Sequence, residues 1–137
     1  MNLHDIRTPQ IDLWLQTYDE ELYLIDVKTV KPNIGSFISH KRTLLEWIAV
    51  ETARQENRKI HSLIAMPYNP YEPKPYRSWQ LRGMLDLNYE LLVGKEFWDF
   101  VGGEGAYEDL LDCFEIAGNM LRPEIDNYFT KYKTISS

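Results

Sequence analysis

Residues 10–16, Gln-Ile-Asp-Leu-Trp-Leu-Gln, alternate apolar and polar around Ile11, Leu13 and Leu15. A period of two predicts a half-buried strand. Tyr18-Asp-Glu-Glu21 makes a short acidic turn and Leu22–Val27 a second β-rich apolar run, so the two runs predict an antiparallel hairpin. Lys31-Pro-Asn-Ile-Gly-Ser36 reads as a loop, with Ser36 or Ser39 placed to cap a helix. There the period lengthens. Leu44, Leu45, Ile48, Ala49 and Thr52 predict that helix over about residues 37–57. Ile60–Tyr68 is too continuously apolar for a half-exposed edge and is expected as a strand buried on both faces. Strand, crossover helix and apolar strand predict parallel pairing with the second strand, the connection right-handed and the helix lying across one face of the sheet.

Pro67, Pro70, Pro73 and Pro75 interrupt regular structure through Tyr76. The C-terminal third reads as helical. Lys95–Val101 is stopped by Gly102 and Gly103, Tyr107–Leu121 carries Leu110, Leu111, Phe114 and Leu121 at helical spacing, and a last helix is expected from near Pro123 to about Tyr132. Trp47, Phe97, Trp98 and Phe100 are expected in the core, and Cys113, beside Leu110, Leu111 and Phe114, as a buried thiol. The pattern as a whole predicts one α/β domain over residues 1–137: a small mixed sheet of β-hairpin, crossover helix and third strand, flanked by helices.

Composition narrows the function classes. With 44% hydrophobic residues in 137, general disorder is excluded, and no apolar run approaches the roughly 20 residues a membrane span needs. The N-terminus lacks the basic stretch and apolar core of a secretory signal, so an intracellular location is expected. A single cysteine excludes an internal disulfide or a Cys-based zinc site. The net charge is −6, but residues 28–82 hold 10 Lys and Arg against 4 acidic residues, a local +6 that leaves −12 on the remainder. A cationic face on an acidic body suits a polyanion partner; solvated helix faces account for the same numbers.

The candidate chemistry lies on the hairpin. Asp12 falls on the first strand and Asp26-Val27-Lys28 closes the second. A carboxylate among apolar strand residues is costly unless it is paired or ligating. Facing residues of a hairpin approach within about 5 Å, close enough for two carboxylates to share a hard divalent cation. Asp26 and Lys28, two apart, share a face, and the Val27 carbonyl is a further oxygen donor at that level. Such a set suits phosphodiester hydrolysis, with Lys28 orienting a water or neutralising developing charge. An Asp26–Lys28 ion pair, with Asp12 bonding loop amides, is the structural alternative.

Pro9-Gln-Ile-Asp12 and Asp26-Val27-Lys28, followed by a helix and an apolar strand, resemble the PD-(D/E)XK nuclease core. In that resemblance Asp12 and Asp26 occupy the metal-ligand positions and Lys28 that of the catalytic lysine. The wider text extends it: Ile11-Asp-Leu-Trp-Leu15, Leu24 through Asn33, Lys41-Arg-Thr-Leu-Leu-Glu-Trp47, Met66 through Tyr76, Arg82-Gly-Met-Leu-Asp86 and Phe97-Trp-Asp-Phe100 together resemble TdeIII-like type II restriction endonucleases over nearly the whole chain. The resemblance implies a restriction-endonuclease-like core, Mg²⁺-dependent cleavage of double-stranded DNA at a short specific site, a homodimer, and a bacterial cytoplasmic restriction–modification setting. Such enzymes commonly have an N-terminal region with a helix whose Glu assists metal binding, whereas 11 residues precede Asp12 here. The expectation is a catalytic core lacking that region, with Glu46 as candidate substitute acid.

Lys31, His40, Lys41 and Arg42 are candidates for phosphate contact, and Tyr71, Lys74, Arg77 and Arg82 for the DNA groove. Neither His40 nor His61 has a second histidine at ligand spacing. Two rivals stand beside the restriction reading: a truncated, inactive remnant that folds as a dimer, by strand or segment exchange, or serves as a DNA-binding or structural protein, and a different nuclease on the same core.

Overall fold

A computed structural model of the chain describes residues 10–29, 37–54, 57–76 and 83–135. Two compact units result, Met1–Phe97 and Trp98–Ser137. The first carries strands β1 (Leu13–Gln16), β2 (Leu22–Val27), β3 (Ile60–Met66) and β4 (Leu91–Val93), with helix α1 (Phe37–Arg54) between β2 and β3. Helix α2 (Lys95–Gly102) runs across the boundary, and α3 (Ala106–Ile135) belongs to the second unit.

The four strands form one mixed sheet in the order β1-β2-β3-β4. β1 pairs antiparallel with β2, Leu13 opposite Ile25 and Gln16 opposite Leu22. Its turn is closed by backbone bonds from Glu20 N to Thr17 O and from Thr17 N to Glu21 O, each 3.0 Å, with Glu20 at φ 63°. As an edge strand β1 alternates half-buried and exposed residues. β2 and β3 pair in parallel from Leu22 opposite Ile60 to Val27 opposite Ala65, and residues 62–66 are all buried, as a strand covered on both faces requires. α1 turns Leu44 and Trp47, both 1% exposed, into the core with Leu22, Leu24, Ile64 and Met66. Ser62, buried on β3, donates its hydroxyl proton to the Leu44 carbonyl at 2.9 Å, which satisfies its buried hydroxyl at that contact.

The hairpin, the α1 crossover and the parallel β2–β3 pair follow the sequence pattern, with ends shifted. β1 starts at Leu13 rather than residue 10, α1 is described from Phe37 to Arg54, and β3 ends at Met66, before Pro67. β4 is an addition. It pairs in parallel with β3, flanked by bonds from Ile64 N to Glu90 O and from Gly94 N to Met66 O. Gly94, at φ 55° with Asn69 N 3.4 Å from where a Cβ would stand, ends it.

In the second unit Gly103, at φ 92°, closes α2 by donating to Asp99 O, and the Asp99 side chain accepts the Tyr107 N–H at 3.1 Å at the start of α3. The expected break before Pro123 is corrected: α3 is one 30-residue helix with the proline inside it. Proline removes one helical hydrogen bond without forbidding the helix where the ring faces solvent. Cys113 is exposed rather than buried, and Phe100 is 38% exposed, so the core expectation holds for Trp47 and Phe97 but not for these two. Apolar neighbours on α3 mark a stripe, and the stripe is itself exposed. Among the described residues no helix is long and apolar enough to cross a membrane.

Candidate active site

The register that pairs Leu13 with Ile25 sets Asp12 level with Asp26, at the end of the hairpin away from its turn. Opposite residues of an antiparallel pair share a face, so the two carboxylates meet there. The ladder stops short of this level because Asp12 Oδ2 accepts the Val27 N–H at 2.8 Å in place of a strand carbonyl. On the other side, Lys28 N donates to Ala65 O at 2.8 Å, which anchors the end of β2 on the central strand.

Asp26 is 6% exposed. Its Oδ1 lies 2.7 Å from Lys28 Nζ, and its Oδ2 lies 3.7 Å from His40 Nδ1 in the first turn of α1. Burial pushes the Asp26 carboxyl above its ordinary value; Lys28 pulls it back down and Asp12 adds to the rise. The His40 imidazole is pushed below its ordinary value by burial and by Lys28, against the pull of Asp26. Both contacts of the structural alternative, the Asp26–Lys28 pair and the Asp12–amide bond, are therefore formed. The pair alone does not undo the cost of burying Asp26 beside a second carboxylate.

Among the described residues no three His, Cys, Asp or Glu side chains cluster as a metal site. The donor set is two carboxylates, with the Val27 carbonyl at the same level. Mg²⁺ is commonly held by one or two carboxylates, with waters and substrate phosphates completing its shell, and the buried Asp26 carboxyl, raised above its ordinary value, is what a divalent cation relieves. The residues fit a hard cation.

Other candidates distribute unevenly. Glu46, half-buried on α1, is not brought to this site; six residues beyond His40, it is turned about 120° from it around the helix. Lys41 is held by Glu90, just ahead of β4, while Arg42 is exposed on α1. Tyr71 and Lys74 are exposed in the proline loop, where Lys74 N donates to Tyr71 O and Asn69 Nδ2 donates to Lys74 O. Lys31, Arg77 and Arg82 lie outside the described residues. His61 sits at the turn end of the sheet, 2.8 Å from Glu21 and stacked on Tyr23. Grouping His40 with its charged neighbours Lys41 and Arg42 hides its contact with Asp26. Its spacing from Leu44 and Trp47 carries the signal, because steps of four and three put all three on the sheet-facing stripe.

A family model described as type II restriction endonuclease, HinfI, matches residues 2–118. Among curated proteins the chain is 28% identical over 117 residues to type II restriction enzyme HgiEI and 27% identical over 116 residues to HgiCII, both of Herpetosiphon aurantiacus. Each alignment covers 83% of this chain and 42% of the relative. Type II restriction enzyme MjaII of Methanocaldococcus jannaschii is 26% identical over 129 residues, covering 86% of this chain and 34% of its own length. The chain thus spans less than half the length of these relatives.

Proposed function

The chain belongs to the HinfI family of type II restriction endonucleases, and from that premise we propose that it forms the catalytic core of a Mg²⁺-dependent enzyme cutting double-stranded DNA at a specific site. The observation that carries the reading is the juxtaposition of Asp12, Asp26 and Lys28 at the open end of the hairpin. Asp12 and Asp26 would hold the cation, which when bound polarises the phosphoryl oxygens and lowers the pKa of a water. Lys28 has Asp26 as its resting partner and is placed to orient the attacking water or to meet negative charge as it develops on phosphorus. As the water oxygen bonds to phosphorus and gives up a proton to solvent, the ester P–O bond breaks and the departing oxygen takes up a proton from solvent. His40 packs against Asp26 from α1 and limits the positions that carboxylate adopts. Arg42, Lys74 and Tyr71, all exposed, supply phosphate and groove contacts, joined in the sequence by Lys31, Lys41, Arg77 and Arg82. Cutting both strands of a symmetric site calls for two copies related by a two-fold axis, the homodimer of a bacterial cytoplasmic restriction–modification system.

A second reading, a folded chain that binds DNA without cutting it, draws on one observation: the donor set among the described residues stops at two carboxylates. The deciding experiment incubates the purified chain with a long sequenced DNA and Mg²⁺, beside the Lys28→Ala variant and an EDTA control. Discrete fragments that disappear in both controls support specific hydrolysis, with Lys28→Ala lowering the rate about 10²–10⁴-fold. Intact DNA at high protein and low salt supports the second reading, and random degradation supports a less specific nuclease.

A further inference from the structure

α3 carries more exposed apolar surface than a solvated helix needs. Leu111, Phe114, Leu121 and Ile125 are 48%, 66%, 49% and 47% exposed. Together with Gly118 they recur at alternating steps of three and four, and Tyr128 continues the series. That spacing is a heptad seam, the pattern with which one helix packs along another. Pro123 falls on the opposite side of the helix from the seam. Its missing backbone donor therefore lies away from the seam and does not interrupt it.

Charge selects the occupant and its direction. The first half of α3, residues 106–120, holds four acidic residues and no Lys or Arg; the second half, 121–135, holds three Lys and Arg against two acidic residues. A parallel pair of copies sets acidic half on acidic half. An antiparallel pair sets each acidic half against the basic half of the other copy. The seam is also self-complementary in that direction: aligning Gly118 with Leu121 of the second copy aligns Phe114 with Ile125 and Leu111 with Tyr128, so that the residue without a side chain receives a leucine. The same alignment brings Glu115, flanking the seam, near Arg122 of the second copy, twice by symmetry.

We propose that α3 is a self-association surface on which two copies of this chain pair antiparallel along the seam from Leu111 to Ile125. The inference rests on the two-copy reading under Proposed function for its purpose and names the surface that reading requires; the helix pattern itself is independent of any nuclease chemistry.

The test uses the full chain and its single cysteine. Cys113 is exposed on the side of α3 away from the seam contact and accepts a spin label without further substitution. Antiparallel pairing sets Cys113 level with residue 126 of the second copy, so the two labels are offset by about 20 Å along the helix axis. Parallel pairing would bring them to the same level, separated only by the width of the helix pair, on the order of 10 Å. Sedimentation should show a dimer, and pulsed electron resonance the long separation. Leu121→Asp should raise the dimer Kd at least 100-fold. Glu115→Arg and Arg122→Glu should each raise it about 10-fold, and the double variant should restore it, an outcome that misfolding does not produce. A chain monomeric at every concentration overturns the proposal and leaves the seam to another segment or partner. A short label separation overturns the antiparallel assignment. Cleavage of DNA measured on the same samples keeps the two readings apart: a dimer that never cuts counts against the nuclease and not against the pairing, and a monomer that cuts counts against the pairing alone.

Discussion

Asp26 is the residue at which stability and chemistry pull in opposite directions. Burial and the neighbouring Asp12 raise its carboxyl above the ordinary value, with Lys28 offsetting only part of the rise. An acid whose pKa is higher in the folded state than in the unfolded chain contributes stability at low pH and loses it as pH rises through the folded value. Asp26→Asn removes that loss. The variant is expected to melt at or above the wild-type temperature near neutral pH, with the advantage shrinking as pH falls toward the ordinary carboxylate range of about 4. Thermal melts of both proteins across pH 4–8 check this, and a variant that melts lower throughout would mean that the Lys28 pair dominates. The triad itself is legible in the sequence because Asp12 and Asp26 interrupt apolar strands whose register is set by alternation. The His40 contact is legible only when a histidine beside two cations is treated as part of the core stripe.

At the scale of elements, periodicity works where a segment is long enough to display its period. β2, α1 and β3 show five or more informative positions each, and their pattern places them to within a few residues. β4 has three residues, Leu91–Val93, too few to show alternation, and its existence depends on the ladder offered by β3. The pattern divides α3 at Pro123 because the ring usually ends a helix, yet the helix continues to Ile135. Continuity there costs a backbone bond, so Pro123→Ala should stabilise α3 by up to about 3 kcal/mol. The expected readout is slower amide exchange around Asn119, whose carbonyl regains a partner four residues on, with the first unit unchanged. Faster exchange there would contradict this account of the helix.

For the whole molecule, the net charge of −6 misleads because the basic residues gather between positions 28 and 82. If that segment meets the phosphate backbone, DNA affinity falls steeply with salt despite the acidic total. Arg42→Ala and Lys74→Ala, both at exposed positions, are each expected to reduce the slope of log affinity against log salt by about 1, measured by fluorescence anisotropy with metal withheld. An unchanged slope in both would return these side chains to plain solvation. The sequence alone does not reveal which cations face DNA, because Lys41 is engaged by Glu90 through a contact some fifty residues away that no local pattern encodes. The central claim is that the hairpin end is a site of hydrolysis and not a structural ion pair. The most direct test is the single-turnover rate of DNA cleavage in Mg²⁺ by Asp26→Asn against wild type, on samples whose melting curves show both folded. A loss of at least about 10³-fold with no fall in melting temperature is the predicted result. Cleavage within tenfold of wild type would contradict it.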